Sequence, residues 1–176
     1  GTLERRKNLP SLVRAFAQVG RDDTDLLLVL AGNDGDDRPA IDSAITEAGP
    51  ALADRILLTG RIDEPTRAWL LRHSRVLAYP SLDEGFGFPA LEGMAAGVPV
   101  VAARAGAIPE VVGQAAVLVD PLEPADIAGG LARALDDDAL RAALVAGGRE
   151  QLGRYTWSAM AAGMASLYRE AAESTA

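Results

Sequence analysis

Two carboxylates bracket a glycine-bearing loop in residues 79–102, YPSLDEGFGFPALEGMAAGVPVVA. Glu84 stands in the loop with Gly85 and Gly87. Glu92 comes after seven intervening residues, just inside the helix that Pro89 opens. Two glycines around Phe86 let the backbone come close to a ligand, and a helix start offers free N–H groups at the positive end of a dipole. Such a nest takes an anion. A carboxylate beside it repels one, and suits hydroxyls or a developing cation instead. Sugars supply both. Glu92 could hold a ribose diol, where each charge-assisted hydrogen bond contributes roughly 1.5–3 kcal/mol. A plainer reading stands beside this one, with Glu84 a solvated loop acid and Glu92 merely well placed in a helix dipole.

A second cluster, Arg5-Arg6-Lys7, stands out in a chain of net charge −8. It succeeds Gly1–Leu3, which reads as the tail of a strand, so it falls at the carboxyl edge of the sheet with the Glu84 loop. In a crevice these cations would neutralise a diphosphate, and one close charge pair is worth about 4 kcal/mol at intermediate dielectric. If the charge grows on a departing group, the contact favours the transition state over the ground state. Left on the surface, the cluster is a solvated basic patch. Other candidates carry less. Asn33-Asp34-Gly35-Asp36-Asp37 lacks the spacing and closing Glu of a calcium loop and reads as a solvated acidic turn. His73 is the sole histidine and falls near a helix end, and with no cysteine the familiar catalytic triads are excluded. No metal site is expected.

These groups need elements to hold them. The apolar run Leu26–Ala31 predicts a strand buried on both faces, and Arg55–Thr59, Arg75–Tyr79, Val98–Ala102 and Ala116–Val119 predict further strands. Helices are expected after Asn8 as N-cap, with Gly20 as the stop, and around Ile41–Ala48, ending at Gly49-Pro50. More are expected after Asp63 as N-cap with Pro65 early in the helix, at Ala90–Ala96, at Pro109–Val112, over 124–135 and over 138–147, with Asp136–Asp138 as a junction. A last helix is expected over 156–172, anchored by packing of Trp157 and Tyr168. Strands alternating with helices through short connections predict an α/β, doubly wound parallel sheet. The 176 residues suit one domain. The acidic balance argues against a nucleic-acid surface, and no apolar run approaches the roughly 20 residues that cross a bilayer. The opening Gly1 reads as continuing from a strand that precedes it, which suggests a piece of a longer protein.

The residues resemble the C-terminal half of retaining GT-B glycosyltransferases of family 4, the mannosyltransferase-like group. GTLERRKNLPSLVRAF is similar to that family's opening glycine, basic loop and helix. LLLVLAG and LLTGRIDE match its next strands, and the 79–102 segment carries its Glu-x7-Glu signature. GAIPEVVGQAAVLVDP resembles the family's next segment. The likeness covers nearly the whole chain. It implies a Rossmann-like nucleotide-sugar-binding domain over residues 1–176, facing an acceptor-binding N-terminal domain absent from this sequence, with the 156–172 helix packing back on that partner domain.

The resemblance also implies roles. Lys7, with Arg6, would meet the donor diphosphate, and Glu84 would lie by the donor sugar. Phe86 and Gly87 would offer N–H groups, with Gly85 beside them, and Glu92 would bind the ribose. Gly1 and Thr2 would border the phosphates, and the Arg61-Ile62 turn the base. The implied donor is a nucleotide diphospho-sugar, GDP- or UDP-linked and of the GDP-mannose type, serving as substrate with no cofactor. The implied location is cytoplasmic, compatible with peripheral membrane contact through the absent domain. Two positions depart from the family pattern. Thr2 stands where many members have Arg, leaving Arg5 or Arg6 as its substitute, and Gly93 replaces a usual Ala. Two further readings remain. One is a GT-B-like epimerase, which needs more acid–base groups; a phosphorylase would need a cofactor lysine, and Lys7, the sole lysine, is already in the basic loop. The other is a non-catalytic nucleotide-binding or interaction module.

Overall fold

The computed structural model describes residues 1–21 and 23–173. Among them five short strands, β1 (Leu28–Ala31), β2 (Ile56–Gly60), β3 (Leu77–Tyr79), β4 (Val100–Ala103) and β5 (Val117–Val119), alternate with nine helices. These are α1 (Leu9–Val19), α2 (Arg38–Ala48), α3 (Pro50–Ala53), α4 (Glu64–His73), α5 (Phe88–Ala95), α6 (Ile108–Val112), α7 (Pro124–Asp136), α8 (Asp138–Leu152) and α9 (Trp157–Glu173). All pairings are parallel, in two groups: β1 with β2 in the register Leu28↔Ile56, and β3-β4-β5 with Leu77↔Val100 and Val101↔Val117. The expected doubly wound α/β architecture is present.

Strand β4 shows why the fold holds. All four of its residues are buried, and their alternation sends Val100 and Ala102 toward α5 and α6 while Val101 faces the cluster of α1 and α7. The first side gathers Ala90, Met94, Ile108 and Val112, and the second Leu12, Val13, Phe16, Ile127 and Leu131. Gly93 sits at the tightest point between α5 and β3. A Cβ there would lie 2.6 Å from Leu77 Cδ2 and 3.2 Å from Val100, so the departure from Ala brings the helix closer to the sheet.

Several expectations need correction. The strand expected from Leu26 starts at Leu28, and Leu27 is exposed. The helix expected over 138–147 continues to Leu152, and a further turn, α3, comes directly after Gly49. Asp63 caps α4 as expected, accepting from the Thr66 amide at 2.9 Å. Asn8 does not cap α1. It adopts a left-handed conformation (φ 55°) and sends its amide elsewhere. Trp157 and Tyr168 do not anchor α9: they are 86% and 69% exposed, and no residue of that helix is buried.

The acidic turn is not solvated throughout. Asp37 is buried where residues 35–37 fold under Leu3, its amide bonding the Leu3 carbonyl at 3.2 Å, and its Oδ2 has no hydrogen-bond partner among the described residues. Burial raises the Asp37 carboxyl above its ordinary value, Asp36 adding to the rise and Arg5 opposing it. The folded state therefore holds this proton more tightly than the unfolded chain. Stability conferred by the protonated acid is lost as pH climbs from the ordinary aspartate value, about 3.9, through the raised one. Asp37→Asn should flatten that decline and raise the pH 7 melting temperature by about 2–4 °C, the shift expected for roughly 1 kcal/mol in a domain of this size. Melting curves from pH 4 to 7 test this, and an unchanged slope with no gain at pH 7 would refute it.

Candidate functional site

The carboxyl ends of the strands carry the chemistry. Residues 1–3 run beside the end of β1, with Thr2 bridged in parallel to Asn33 and the Leu3 amide on the Asn33 carbonyl at 2.9 Å. A 3-10 turn at Arg5–Lys7 comes next and leads into Asn8. The left-handed backbone of Asn8 turns its side chain inward, where Nδ2 donates to the carbonyls of Pro80 (3.3 Å) and Pro121 (2.6 Å). One buried amide thus joins the basic turn to the loops leaving β3 and β5. The Leu82 amide, donating to the Arg6 carbonyl at 2.7 Å, adds a second tie.

That clamp decides where the three cations go. Arg6 reaches the Glu84 loop, its Nη1 2.5 Å from Glu84 Oε1 and its Nε 2.8 Å from Glu4. The hydrogen bond to Glu84 raises the Arg6 guanidinium above its already high value. Arg5 turns away to Asp36 at 3.7 Å, largely in solvent. Of the two arginines left as substitutes for one at position 2, only Arg6 faces the candidate site. Lys7 lies against Gly1, where a Cβ would collide with its Nζ, and makes no ion pair among the described residues.

Glu84 is the more enclosed carboxylate, its side chain 15% exposed against 40% for Glu92. Tyr79 is buried nearby, and that burial, with the Glu84 carboxylate adding to it, holds the phenol well above its usual range. Gly106 supports the loop from the other side. With φ +54° it lies so close that a Cβ would meet Glu84 O at 2.9 Å and Asp83 Oδ1 at 3.0 Å, and the next amide, Ala107, donates to Glu84 O at 3.2 Å. Sequence reasoning passed over Gly106 and Tyr79. Gly106 lies just past β4 and Tyr79 closes β3, so only the fold brings either to Glu84.

The helix start differs in detail from expectation. Helix α5 begins at Phe88, and Gly87 sits at its N-cap with φ +114°, a conformation that a side chain resists. The amides of Phe86 and Gly87 make no hydrogen bond among the described residues. A Cβ at Gly85 would meet nothing within 4 Å, so the chain's own packing does not demand glycine there. Phe86 packs on Phe88 (centroids 4.7 Å apart) and edge-on to Tyr155 (5.5 Å), which fixes the ridge of the loop.

Glu92 finds a partner that the sequence reading missed. Arg67 of α4 forms an ion pair with it and also holds Glu64 at 2.6 Å. Hydrogen bonds to Glu64 and then Glu92 push Arg67 further up. The signal lay in the helical i, i+3 spacing of Glu64 and Arg67, which says nothing of Glu92. Lys7, Arg67 and Glu92 all act electrostatically on the Gly1 amine, whose value is lowered first by burial and then by Lys7. Gly1, Lys7, Arg67 and Glu92 are thus neighbours at one end of the sheet, and Arg6, next to Lys7, ties Glu84 to the same end. Arg61 and Ile62, in the turn after β2, lead into the helix that carries Arg67, but no hydrogen bond or ion pair links them to the cluster among the described residues. His73 stacks on Trp69 at 4.3 Å, away from it. No group of three or more acidic, His or Cys side chains among the described residues could hold a metal ion.

Residues 1–151 match the Glycosyl transferases group 1 family. The chain belongs to it. A curated relative, O-antigen chain mannosyltransferase B of Escherichia coli, is 32% identical over 158 residues, covering 89% of this chain and 41% of that protein. Sucrose-phosphate synthase from Thermosynechococcus elongatus superposes with a TM-score of 0.79 at 32% identity, covering 97% of this chain and 44% of that one. The C-terminal domain of a glycosyl transferase group 1 family protein from Francisella tularensis aligns with a TM-score of 0.77 at 26% identity, covering 88% of this chain and 82% of that domain. The chain spans about two fifths of the length of the curated relative from Escherichia coli. Its fold is the Rossmann-like one of the C-terminal domain of GT-B glycosyltransferases. No helix among the described residues is long and apolar enough to cross a membrane.

The clamp at Asn8 can be tested directly in this glycosyltransferase domain. Asn8→Gly keeps the backbone free to adopt φ 55° but strips two buried carbonyls of their donor, and should cost about 1–3 kcal/mol. Asn8→Ala adds the strain of a left-handed alanine and should cost more. Denaturant unfolding orders the three proteins, and a glycine variant as stable as the parent would mean that the Asn8 amide does not hold these loops together.

Proposed function

We propose that this chain is the donor-binding domain of a retaining glycosyltransferase of family 4 that transfers a hexose from a nucleotide diphospho-sugar. The observation that carries the reading is the convergence of Glu84, Glu92 and Lys7 at the carboxyl edge of the sheet, next to the free Phe86 and Gly87 amides. The crevice outside that edge is where open α/β sheets bind nucleotides. The diphosphate lies over the basic turn, held by Lys7 and Arg6 and by the amides at the start of α5. Glu92 accepts from the ribose hydroxyls. Glu84 faces the sugar.

Transfer is then a matter of charge. As the bond from the anomeric carbon to the diphosphate breaks, negative charge builds on the leaving oxygen and positive charge on the sugar. Lys7 and Arg6 stabilise the first and Glu84 the second, without a metal ion or cofactor, and the acceptor hydroxyl enters on the face the diphosphate leaves, its proton passing to the departing phosphate oxygen. Arg6 starts paired with Glu84, so both charges are set in place before donor arrives, which avoids reorganisation during reaction. The mannosyltransferase relative supports a mannosyl donor, and GDP-mannose is the one we propose.

Calorimetric titration with GDP, UDP and ADP, each with and without magnesium, tests the reading. One nucleotide should bind saturably and independently of magnesium, and failure of all three at millimolar concentration counts against donor binding by this domain. Glu92→Ala should weaken that nucleotide by about tenfold or more, the equivalent of one charge-assisted hydrogen bond. Its 2′,3′-dideoxy analogue should bind parent and variant alike; if the variant loses affinity equally for both, Glu92 does not read the ribose. In the full-length enzyme, Lys7→Ala should lower turnover by about 10²-fold, the scale for one preorganised charge contact. Near-normal turnover would end the diphosphate assignment of Lys7.

A further inference from the structure

The stretch from Gly85 to Gly87 has little of its own to hold it. Glycine flanks Phe86 on both sides, Gly87 lies at φ +114°, and a Cβ at Gly85 would touch nothing within 4 Å. Glycine has more backbone freedom to lose than any other residue. Hydrogen bonds do not remove that freedom here, because the amides of Phe86 and Gly87 have no partner among the described residues. The ties lie at the ends of the stretch, where Glu84 O accepts from Ala107 at 3.2 Å and Gly87 O from Ala90 at 3.0 Å.

The one side chain of this stretch must therefore anchor it. The Phe86 ring packs on Phe88, tilted at 39° with centroids 4.7 Å apart, and meets Tyr155 edge-on at 89° and 5.5 Å. Phe88 is a poor support, being 65% exposed. Tyr155 is a better one. It is half-buried against the apolar cluster around α5 and α6, and its hydroxyl donates to Glu110 O at 3.3 Å.

Helix α8 delivers that ring. Near its end the buried Gln151 side chain donates to Val111 O at 2.8 Å, which fixes the helix on α6. The chain then turns, with Arg154 N on Gln151 O at 3.0 Å and Tyr155 N on Leu152 O at 3.1 Å, and Tyr155 comes to Glu110, next to Val111. Helix α6 also meets the loop directly, since a Cβ on Gly87 would lie 3.8 Å from Ile108 and 3.9 Å from Val111. The loop and the ring that steadies it thus rest on one common support.

We propose that Tyr155 is a positioning residue for the donor: its ring holds Phe86, and so aims the free amides of Phe86 and Gly87 at the second phosphate of a nucleoside diphosphate. This role rests on the donor reading of the site. Tyr155 belongs neither to the segment with the two glutamates nor to the basic turn, and it acts through Phe86 rather than on the donor. An edge-to-face pair fixes the angle between two rings as well as their contact. An aliphatic side chain at position 155 would fill the space and leave Phe86 free to turn.

Three variants of the 176-residue chain test this. Tyr155→Ala removes the anchor, Tyr155→Phe keeps the ring edge, and Tyr155→Leu fills the space without a ring should the alanine variant unfold. Calorimetry compares GDP, UDP and ADP with GMP, UMP and AMP. The parent should favour the diphosphate of the nucleotide it binds. In Tyr155→Ala or Tyr155→Leu that preference should shrink about three- to tenfold, the worth of one aromatic pair, with monophosphate affinity unchanged. Tyr155→Phe should keep most of it. Without any nucleotide, amide ¹⁵N relaxation should give order parameters of about 0.85 at Phe86 and Gly87 in the parent and Tyr155→Phe, and below about 0.6 in the other two. An equal loss for diphosphate and monophosphate would mean that Tyr155 merely supports the domain, and overturns the role. So does an unchanged preference with unchanged order parameters. In both cases the parent still binds nucleotide and the donor reading stands, whereas a parent that binds none of these nucleotides refutes that reading and this role with it.

Discussion

The candidate site depends on one buried side-chain amide. Asn8 reaches carbonyls 72 and 113 residues further along the chain and holds together the loops that leave β3 and β5. Without that grip the Arg5–Lys7 turn would be a short basic loop in an acidic protein, free to pair with any of several neighbouring carboxylates. With it, each cation has a separate fate: Arg5 goes to Asp36 in solvent, Arg6 to Glu84, and Lys7 is left without an ion pair over Gly1. The left-handed backbone at Asn8 is what aims the amide inward, and Asn is one of the few residues with a side chain that tolerates it. The conformation and the hydrogen bonds are one device.

The carboxylates are held in the same spirit, each by an arginine from a different element. Arg6 comes to Glu84 from the turn before α1, and Arg67 to Glu92 from α4. Exposed or half-exposed ion pairs of this kind add little to stability, about 0–1 kcal/mol each. Their effect is geometric. They hold two acids at set positions beside free backbone amides, where unpaired acids would swing outward or repel each other. The backbone of Glu84 is fixed further from the side by Gly106 and Ala107, so the loop leaving β4 supports the one leaving β3.

How much of this the sequence disclosed depends on the range of the forces involved. Local signals read true: Asp63 as a cap, Pro65 early in α4, the alternation of apolar strands with amphipathic helices. Glu84, Gly85, Gly87 and Glu92 could be put forward together because they lie within one short segment, and Lys7 and Arg6 because the basic turn opens the chain. The features that stayed hidden were set by distant partners. Asn8 has the residue type of a helix cap, and only the approach of Pro80 and Pro121 draws its amide away. Asp37 sits among solvated acids in sequence, yet the strand tail at Leu3 covers it. Trp157 and Tyr168 look like core residues on an amphipathic helix, and α9 meets no surface among the described residues that would bury them. Arg67 could not be named because its i−3 neighbour Glu64 accounts for it locally, while Glu92 meets it only in space.

The pairing of Arg6 with Glu84 bears on a conflict inherent in such a site. In the proposed donor site a carboxylate facing a cationic sugar lies close to amides facing an anionic phosphate, and two like charges at about 4 Å repel by about 4 kcal/mol at an effective dielectric near 20. An arginine between them removes most of that opposition, because its planar fork can serve both groups without giving up its charge. A lysine there would have to choose one partner. The order of the turn, Arg6 then Lys7, puts the two-sided cation on Glu84 and leaves the point charge free toward Gly1. In the proposed donor site Thr2 then needs no arginine of its own: the guanidinium beside Glu84 comes from position 6, carried by the 3-10 turn that precedes Asn8.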